Sequence, residues 1–205
     1  MRYLILVSFC LLFTDGSAQK ADSLLAEWKS YKLLPKSNFS QDTNAVKVCL
    51  ALTRESSVNG DSALLFVAEA RRISQNVKWI KGLAMTDYRK AVMLSSMGDQ
   101  DAAIVLFTAS AENWKKVLPP SGGIDAAQCL SRIGSCYVNS GKPKEALPFF
   151  EKSIELYTRL DIYTGIVSQC NLLGLANQSM ERDSIAIYWF SKGIPICEKH
   201  NDKLR

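Results

Sequence analysis

The sequence holds a single histidine, His200, set near the C-terminus among Lys199, Asn201, Asp202 and Lys203. That scarcity removes the commonest general base and a frequent zinc ligand together. No nucleophile with His and Asp partners can be assembled from one imidazole at a solvated helix end. There is no CxxC pair and no GxxxxGK[ST] loop to cradle a phosphate. Acidic residues abound, but they sit on helix faces beside lysines, where solvated pairs are the default. The chain is therefore expected to be no enzyme and to use no cofactor or metal.

An excess of one charge is missing too. Lys and Arg number 25 against 20 Asp and Glu, and the resulting net charge of +5 is spread along the whole chain. Without a dense basic tract or a strand mixing aromatic and basic residues, nucleic acid is not an expected partner. No stretch is long and apolar enough to span a bilayer. The one near-unbroken apolar run, Tyr3 to Phe13, follows Arg2 and precedes small Gly16, Ser17 and Ala18. This order predicts a signal peptide over 1–18, cleaved before Gln19, and a periplasmic or secreted protein. Cys10 would leave with it. The five remaining cysteines, Cys49, Cys129, Cys136, Cys170 and Cys197, are odd in number and show no disulfide framework. They read as small, soft residues buried between helices.

What is present is a repeat. Four segments centre on Ala63, Ala103, Ala146 and Ala186, spaced by 40, 43 and 40 residues. Four residues after each alanine stands a larger apolar residue: Val67, Phe107, Phe150 and Phe190. Twelve before each stands a small one: Ala51, Ala91, Gly134 and Gly174. Between the two lie turn formers, Asn59-Gly60-Asp61, Gly98-Asp99, Asn139-Ser140-Gly141 and Glu181-Arg182-Asp183. Each unit thus reads helix A, turn, helix B, and self-similarity at this period signals stacked units. In the third, Leu130, Ile133, Gly134 and Tyr137 make one amphipathic stripe, and Ala146, Leu147, Phe150, Ile154 and Tyr157 make the next. Glu145, Glu151, Lys152 and Glu155 are left to solvent. A unit cannot bury its stripe alone, so the units must stack.

These residues resemble the tetratricopeptide repeat family. Its leucine-glycine pair, helix-A tyrosine, helix-B alanine and aromatic are matched by Ile133, Gly134, Tyr137, Ala146 and Phe150, and again by Leu173, Gly174, Ala186 and Phe190. Asn177 replaces the second tyrosine, and the first two units carry alanine for glycine. The step exceeds the family's 34 residues, which resembles its longer-helix variants. The resemblance implies an all-α solenoid of about four antiparallel helix pairs over 44–205 that binds a protein or extended peptide. Asp42-Thr43, Asp61-Ser62-Ala63-Leu64 and Trp79-Ile80-Lys81-Gly82-Leu83-Ala84 further resemble the exported sensory repeats of bacterial histidine kinases and transcriptional regulators. That narrower likeness implies a sensory input region as the alternative function.

In the family, first helices line a groove. Its positions fall here on Tyr88, Val92 and Ser95, on Gln128, Ser131, Ser135 and Asn139, and on Ser168, Asn171, Leu175 and Gln178. Most are neutral and polar, and Asn and Gln offer donor and acceptor alike to a peptide backbone. Residues 19–43 are read as a capping helix, Gln19 to Leu34, with Leu24, Leu25 and Trp28 on one side, and a linker at Pro35-Lys36-Ser37-Asn38. Ser121-Gly122-Gly123 is read as an inter-repeat loop. Gly193 and Pro195 are expected to kink or end the last helix near Ile194, with a lesser disturbance at Pro148. The last helix, carrying Ile185, Tyr188, Trp189, Phe190 and Ile194, is expected to self-associate or to fray.

Overall fold

A computed structural model of the chain describes residues 19–55 and 60–201. The expected signal peptide at 1–18 lies outside them, as does Asn59 of the first turn. Among the described residues the regular elements are all helices. Residues 19–32 form α1, followed by α2 (Phe39–Leu52), α3 (Gly60–Asn76), α4 (Ile80–Ser96) and α5 (Gln100–Lys115). Then come α6 (Ser121–Asn139), α7 (Pro143–Arg159), α8 (Tyr163–Gln178) and α9 (Asp183–Asn201). The chain divides into two compact units, one ending at Arg89 and the other beginning at Lys90. The four core alanines fall on α3, α5, α7 and α9, all buried, and α2/α3, α6/α7 and α8/α9 are packed pairs.

Five helix ends share one device. Lys78, Gly98, Gly141, Asp161 and Glu181 all have positive φ, between 53° and 91°. In each case the following N–H reaches back five residues: Trp79 to Ser74 O, Asp99 to Leu94 O, Lys142 to Tyr137 O, Ile162 to Tyr157 O and Arg182 to Asn177 O. This is the Schellman closure, which satisfies carbonyls the helix leaves orphaned. Gly98, Gly141 and Glu181 stand at the same repeat position, five before the core alanine, and only the last carries a side chain. A non-glycine residue in the left-handed region costs about 1 kcal/mol. Glu181→Gly is therefore expected to raise stability by roughly 0.5–1 kcal/mol, less the added chain entropy of glycine when unfolded. An unchanged or lowered denaturation midpoint would show that Glu181 makes a compensating contact.

Three expectations about breaks are corrected. Helix α9 runs through Pro195 to Asn201 and does not end near Ile194. The N–H that proline lacks would have met the carbonyl of Ser191, and both residues are exposed, so water can take that carbonyl. Pro148 is likewise on the solvent side of α7, whose helix is unbroken. Ser121-Gly122-Gly123 is the first turn of α6, not a loop. A Cβ on Gly122 would stand 2.5 Å from the carbonyl oxygen of Trp114, so glycine lets this turn sit on the end of α5.

In the N-terminal unit α1 packs on the α2/α3 pair. Trp28 stacks on Tyr31 and meets Phe66 of α3 edge-on, while Glu27 accepts from Asn44 and Lys20 pairs with Glu55. The Tyr31 hydroxyl donates to Asp42, joined by the Ser37 hydroxyl, both at 2.6 Å. Burial and the Asp42 carboxylate push the Tyr31 phenol above its usual pKa. Ala21, Leu25 and Trp28 stand in the places, at 0, +4 and +7, that Ala63, Val67 and Ala70 hold on α3. Ala21 precedes Ala63 by 42 residues, within the spacing of the other repeats. Helix α1 is thus built as a helix B with no helix A before it among the described residues. Helix α2 begins at Phe39, inside the stretch expected to cap and link, and its Asn38 and Gln41 form a reciprocal capping box.

The C-terminal unit is built on close approach. A Cβ on Gly134 would lie 2.5 Å from Cε1 of Phe150, and Gly174 meets the Phe190 ring in the same way. Gly165 of α8 lies under the ring of Tyr157 on α7, 2.5 Å from where its Cβ would be. Ala146, Phe150, Leu173 and Ala176 form the buried centre, with Leu147, Ile154, Leu172 and Trp189 around it. Asn177, in the place of the family's tyrosine, is buried and donates to Leu173 O at 2.8 Å. Of the five cysteines, Cys49, Cys129, Cys136 and Cys170 are buried and Cys197 is exposed. Burial pushes the thiols of Cys49 and Cys129 up to about 12, so they stay neutral and unreactive at ordinary pH.

Candidate functional site

Helix A of each pair carries a run of positions 18, 15 and 11 residues before the core alanine. On α6 these are Gln128, Ser131 and Ser135, with Asn139 one turn further; on α8 they are Ser168, Asn171 and Leu175, with Gln178 following. Steps of three and four residues hold each run to one helix face. Helices α6 and α8 touch directly, so the two runs belong to neighbouring helices. Gln128, Asn139, Ser168, Asn171 and Gln178 are exposed, and Leu175 is 54% exposed among them. Ser131 and Ser135 are half-buried, and the Ser135 hydroxyl is already donated to Ser131 O at 3.1 Å. The stripe therefore offers four amides, one free-standing hydroxyl position at Ser168 and one apolar side chain. Amides of this kind present a donor and an acceptor each, as a peptide backbone requires.

The other expected positions are less available. Tyr88 belongs to the N-terminal unit and is half-buried. Val92 is half-buried as well. The Ser95 hydroxyl donates to Gln100 Oε1 at 2.9 Å while its carbonyl accepts from Gln100 Nε2, so it braces a turn.

In the N-terminal unit the corresponding places on α2 are Ala45 and Val48, both buried. They floor a cavity of about 260 Å³ walled by Trp28, Tyr31 and Leu34 of the α1 segment, with Glu27, Gln41 and Asn44 at its polar side. Such a cavity can accept one apolar side chain beside an amide and a carboxylate. Sequence reasoning missed it. The signal was there in the register: these two positions carry amides and hydroxyls in the third and fourth units and aliphatic groups in the first.

A separate polar set ties helices of the N-terminal unit together. The Arg71 guanidinium pairs with Asp87, a carboxylate only 2% exposed. Arg89 donates to Thr53 through both its hydroxyl and its carbonyl oxygen, tying α4 to the end of α2. Burial, then nearby Arg54, lowers the Arg89 pKa from its usual value. Among the described residues no helix is long and apolar enough to cross a membrane.

Residues 82–159 match the family model described as tetratricopeptide repeat. Solved structures agree on the fold. BtubC (BKLC) from P. vanneervenii is 16% identical with a TM-score of 0.77, over 92% of this chain and 76% of that one. Nearly identical TPR-like repeats from Podosopora anserina give 14% identity and a TM-score of 0.70, over 92% and 90%. Aspartyl phosphate phosphatase F from Bacillus subtilis gives 17% and 0.63; the match takes in 93% of this chain but only 45% of the phosphatase. Likeness at these identities is likeness of fold. No curated protein matches the chain.

Proposed function

Because residues 82–159 belong to the tetratricopeptide repeat family, whose repeats are protein-interaction scaffolds, we propose that this chain binds an extended peptide along the α6/α8 stripe. One observation carries the reading: Gln128 and Asn139 on α6 and Ser168, Asn171 and Gln178 on α8 stand exposed on helices that touch. Exposed amides along two touching helices suit a ligand whose own backbone presents donors and acceptors. Arg132, four residues after Gln128 and three before Ser135, stands exposed on the same face, while the amides around it match a peptide backbone, so an internal segment of the partner is the ligand proposed. The reading is one of binding, as suits a family of interaction scaffolds. Export rests on the leader pattern at 1–18, and N-terminal sequencing of the protein from its host should then begin at Gln19.

Asn171→Ala and Gln128→Ala test the stripe. Both residues are exposed, so thermal stability should change by less than about 0.5 kcal/mol. The affinity for a partner recovered by pull-down should fall in each. Unaltered affinity in both variants would remove the α6/α8 face from consideration.

A further inference from the structure

Helix α2 does not come onto the helix before it as two of its counterparts do. Gly82 of α4 and Gly165 of α8 stand 21 residues before their core alanines, and each meets a side chain of the preceding helix: Ser74 for Gly82, Tyr157 for Gly165. In α2 that place is Asp42, which draws the hydroxyls of Tyr31 and Ser37 to its carboxylate. Residues 33–38 join α1 to α2, where 77–79 and 160–162 suffice at the same kind of junction. A carboxylate in place of glycine and a longer connection hold the two helices apart, and the cavity of about 260 Å³ lies between them. That volume falls just below the roughly 300–1,000 Å³ of small-molecule sites and suits a single side chain. Of the described residues that line it, only Glu27 is charged. Several hydrogens of the wall are already given away: the Tyr31 hydroxyl to Asp42, the Ser30 hydroxyl to Ala26 O, and an Asn44 Nδ2 hydrogen to Glu27 Oε1. The second Glu27 oxygen and the Asn44 carbonyl oxygen remain as acceptors beside them.

We propose that this cavity is a binding site for an arginine side chain of a partner peptide. Its aliphatic stem lies over Ala45 and Val48, and its guanidinium sits between the Glu27 carboxylate and the aromatic wall of Trp28 and Tyr31. A guanidinium donates five hydrogen bonds and accepts none, which matches a wall with acceptors to spare. Beside a carboxylate those bonds are charge-assisted, and the planar group packs well on aromatic rings. A leucine in the same place would fill the floor and leave the Glu27 and Asn44 oxygens covered without partners. Lysine brings the charge on a compact, strongly hydrated head that stacks less well. The site lies wholly within the N-terminal unit and shares no residue with the α6/α8 stripe, so the two readings stand or fall separately. A second copy of this chain is the poorer source of the arginine, since Arg71 is paired with Asp87, Arg72 with Glu69, Arg89 with Thr53 and Arg159 with Glu155.

The test titrates the full chain with a capped pentapeptide of alanine bearing arginine at its centre, and with its lysine and leucine versions. Nuclear magnetic resonance follows the Trp28 indole N–H and the side-chain amides of Gln41 and Asn44. The arginine peptide should shift all three to saturation, with lysine severalfold weaker and leucine about tenfold weaker or more. Glu27 is exposed, and glutamine there can still accept from Asn44. Glu27→Gln should therefore cost the arginine peptide about tenfold and leave the leucine peptide unchanged. Glu112→Gln, at an exposed carboxylate of α5 paired with Lys115, should alter neither. Lack of saturation, leucine binding as tightly as arginine, or indifference to Glu27→Gln would each overturn the proposal. So would tighter peptide binding once Arg2→Gln and Arg205→Gln are made together, or sedimentation showing a dimer that Glu27→Gln dissolves, since the cavity would then hold an arginine of this chain.

Discussion

Gly134→Leu is expected to lower stability by about 1–3 kcal/mol through overpacking between helices. The Phe150 ring occupies the space a side chain at 134 would need, with three of its carbons within 2.8 Å of the Cβ position. Phe150 cannot retreat easily, being fully buried within the Ala146-Leu173-Ala176 cluster. Gly134→Ala separates the two effects at work. Alanine gains about 1 kcal/mol of helix propensity over glycine, so its net cost should be smaller than that of leucine and can approach zero. Urea denaturation of both variants, with hydrogen exchange on α6 and α7, reads the result. If leucine were tolerated silently, the repeat register would be wrong, and with it the placing of every groove residue.

A larger loss is expected from Arg71→Ala, roughly 2–4 kcal/mol, because it strands the Asp87 carboxylate in a buried place. The opposite deletion should cost less. Asp87→Ala leaves Arg71, whose side chain is 41% exposed and can turn its charge to water. The order of the two variants is thus the informative quantity, and removing both partners for apolar residues of similar size should be closer to neutral than Arg71→Ala alone. Equal losses from the two single variants would mean that the pair is held mainly by packing of the arginine stem.

The fold was legible because its signal is redundant. Ala63, Ala103, Ala146 and Ala186 each announce the same close contact, and any one could be misread without moving the others. Local rules did less well where context overrode them. Proline at 195 carries a cost only if the carbonyl it abandons is dry, and periodicity alone did not place Ser191 in water. Glycines at 122 and 123 signal a turn by composition, yet here Gly122 lets a helix start on the carbonyls just before it, and Gly123 lies against the Leu160 side chain. The left-handed Lys78, Asp161 and Glu181 have no sequence mark at all, since the closure they make is set by the backbone. The site was legible only in part. Gln128, Asn139, Ser168, Asn171 and Gln178 stand exposed where the register put them, but Ser95 and Ser135 spend their hydroxyls locally. The first unit's cavity escaped notice because Ala45 and Val48 read as core.

That α1 has the pattern of a helix B, with no helix A before it among the described residues, changes how those helices should be counted. Paired from its first described helix, the chain reads α1 with α2, α3 with α4, α5 with α6, and α7 with α8, leaving α9 single. The period visible in the sequence and this grouping are half a step out of phase, and the glycine contacts occur in both: Gly134 on Phe150 within a sequence repeat, Gly165 on Tyr157 across its boundary. Close approach of a glycine to an aromatic ring thus marks both kinds of seam. A shortened version cut at Gly141 or Glu181, inside what the sequence calls a repeat, would finish on a helix A, while a cut at Asp161 would finish on a helix B and uncover the Leu147, Phe150 and Ile154 side chains that α8 covers. Where such a chain is trimmed therefore decides which kind of face it leaves unpartnered.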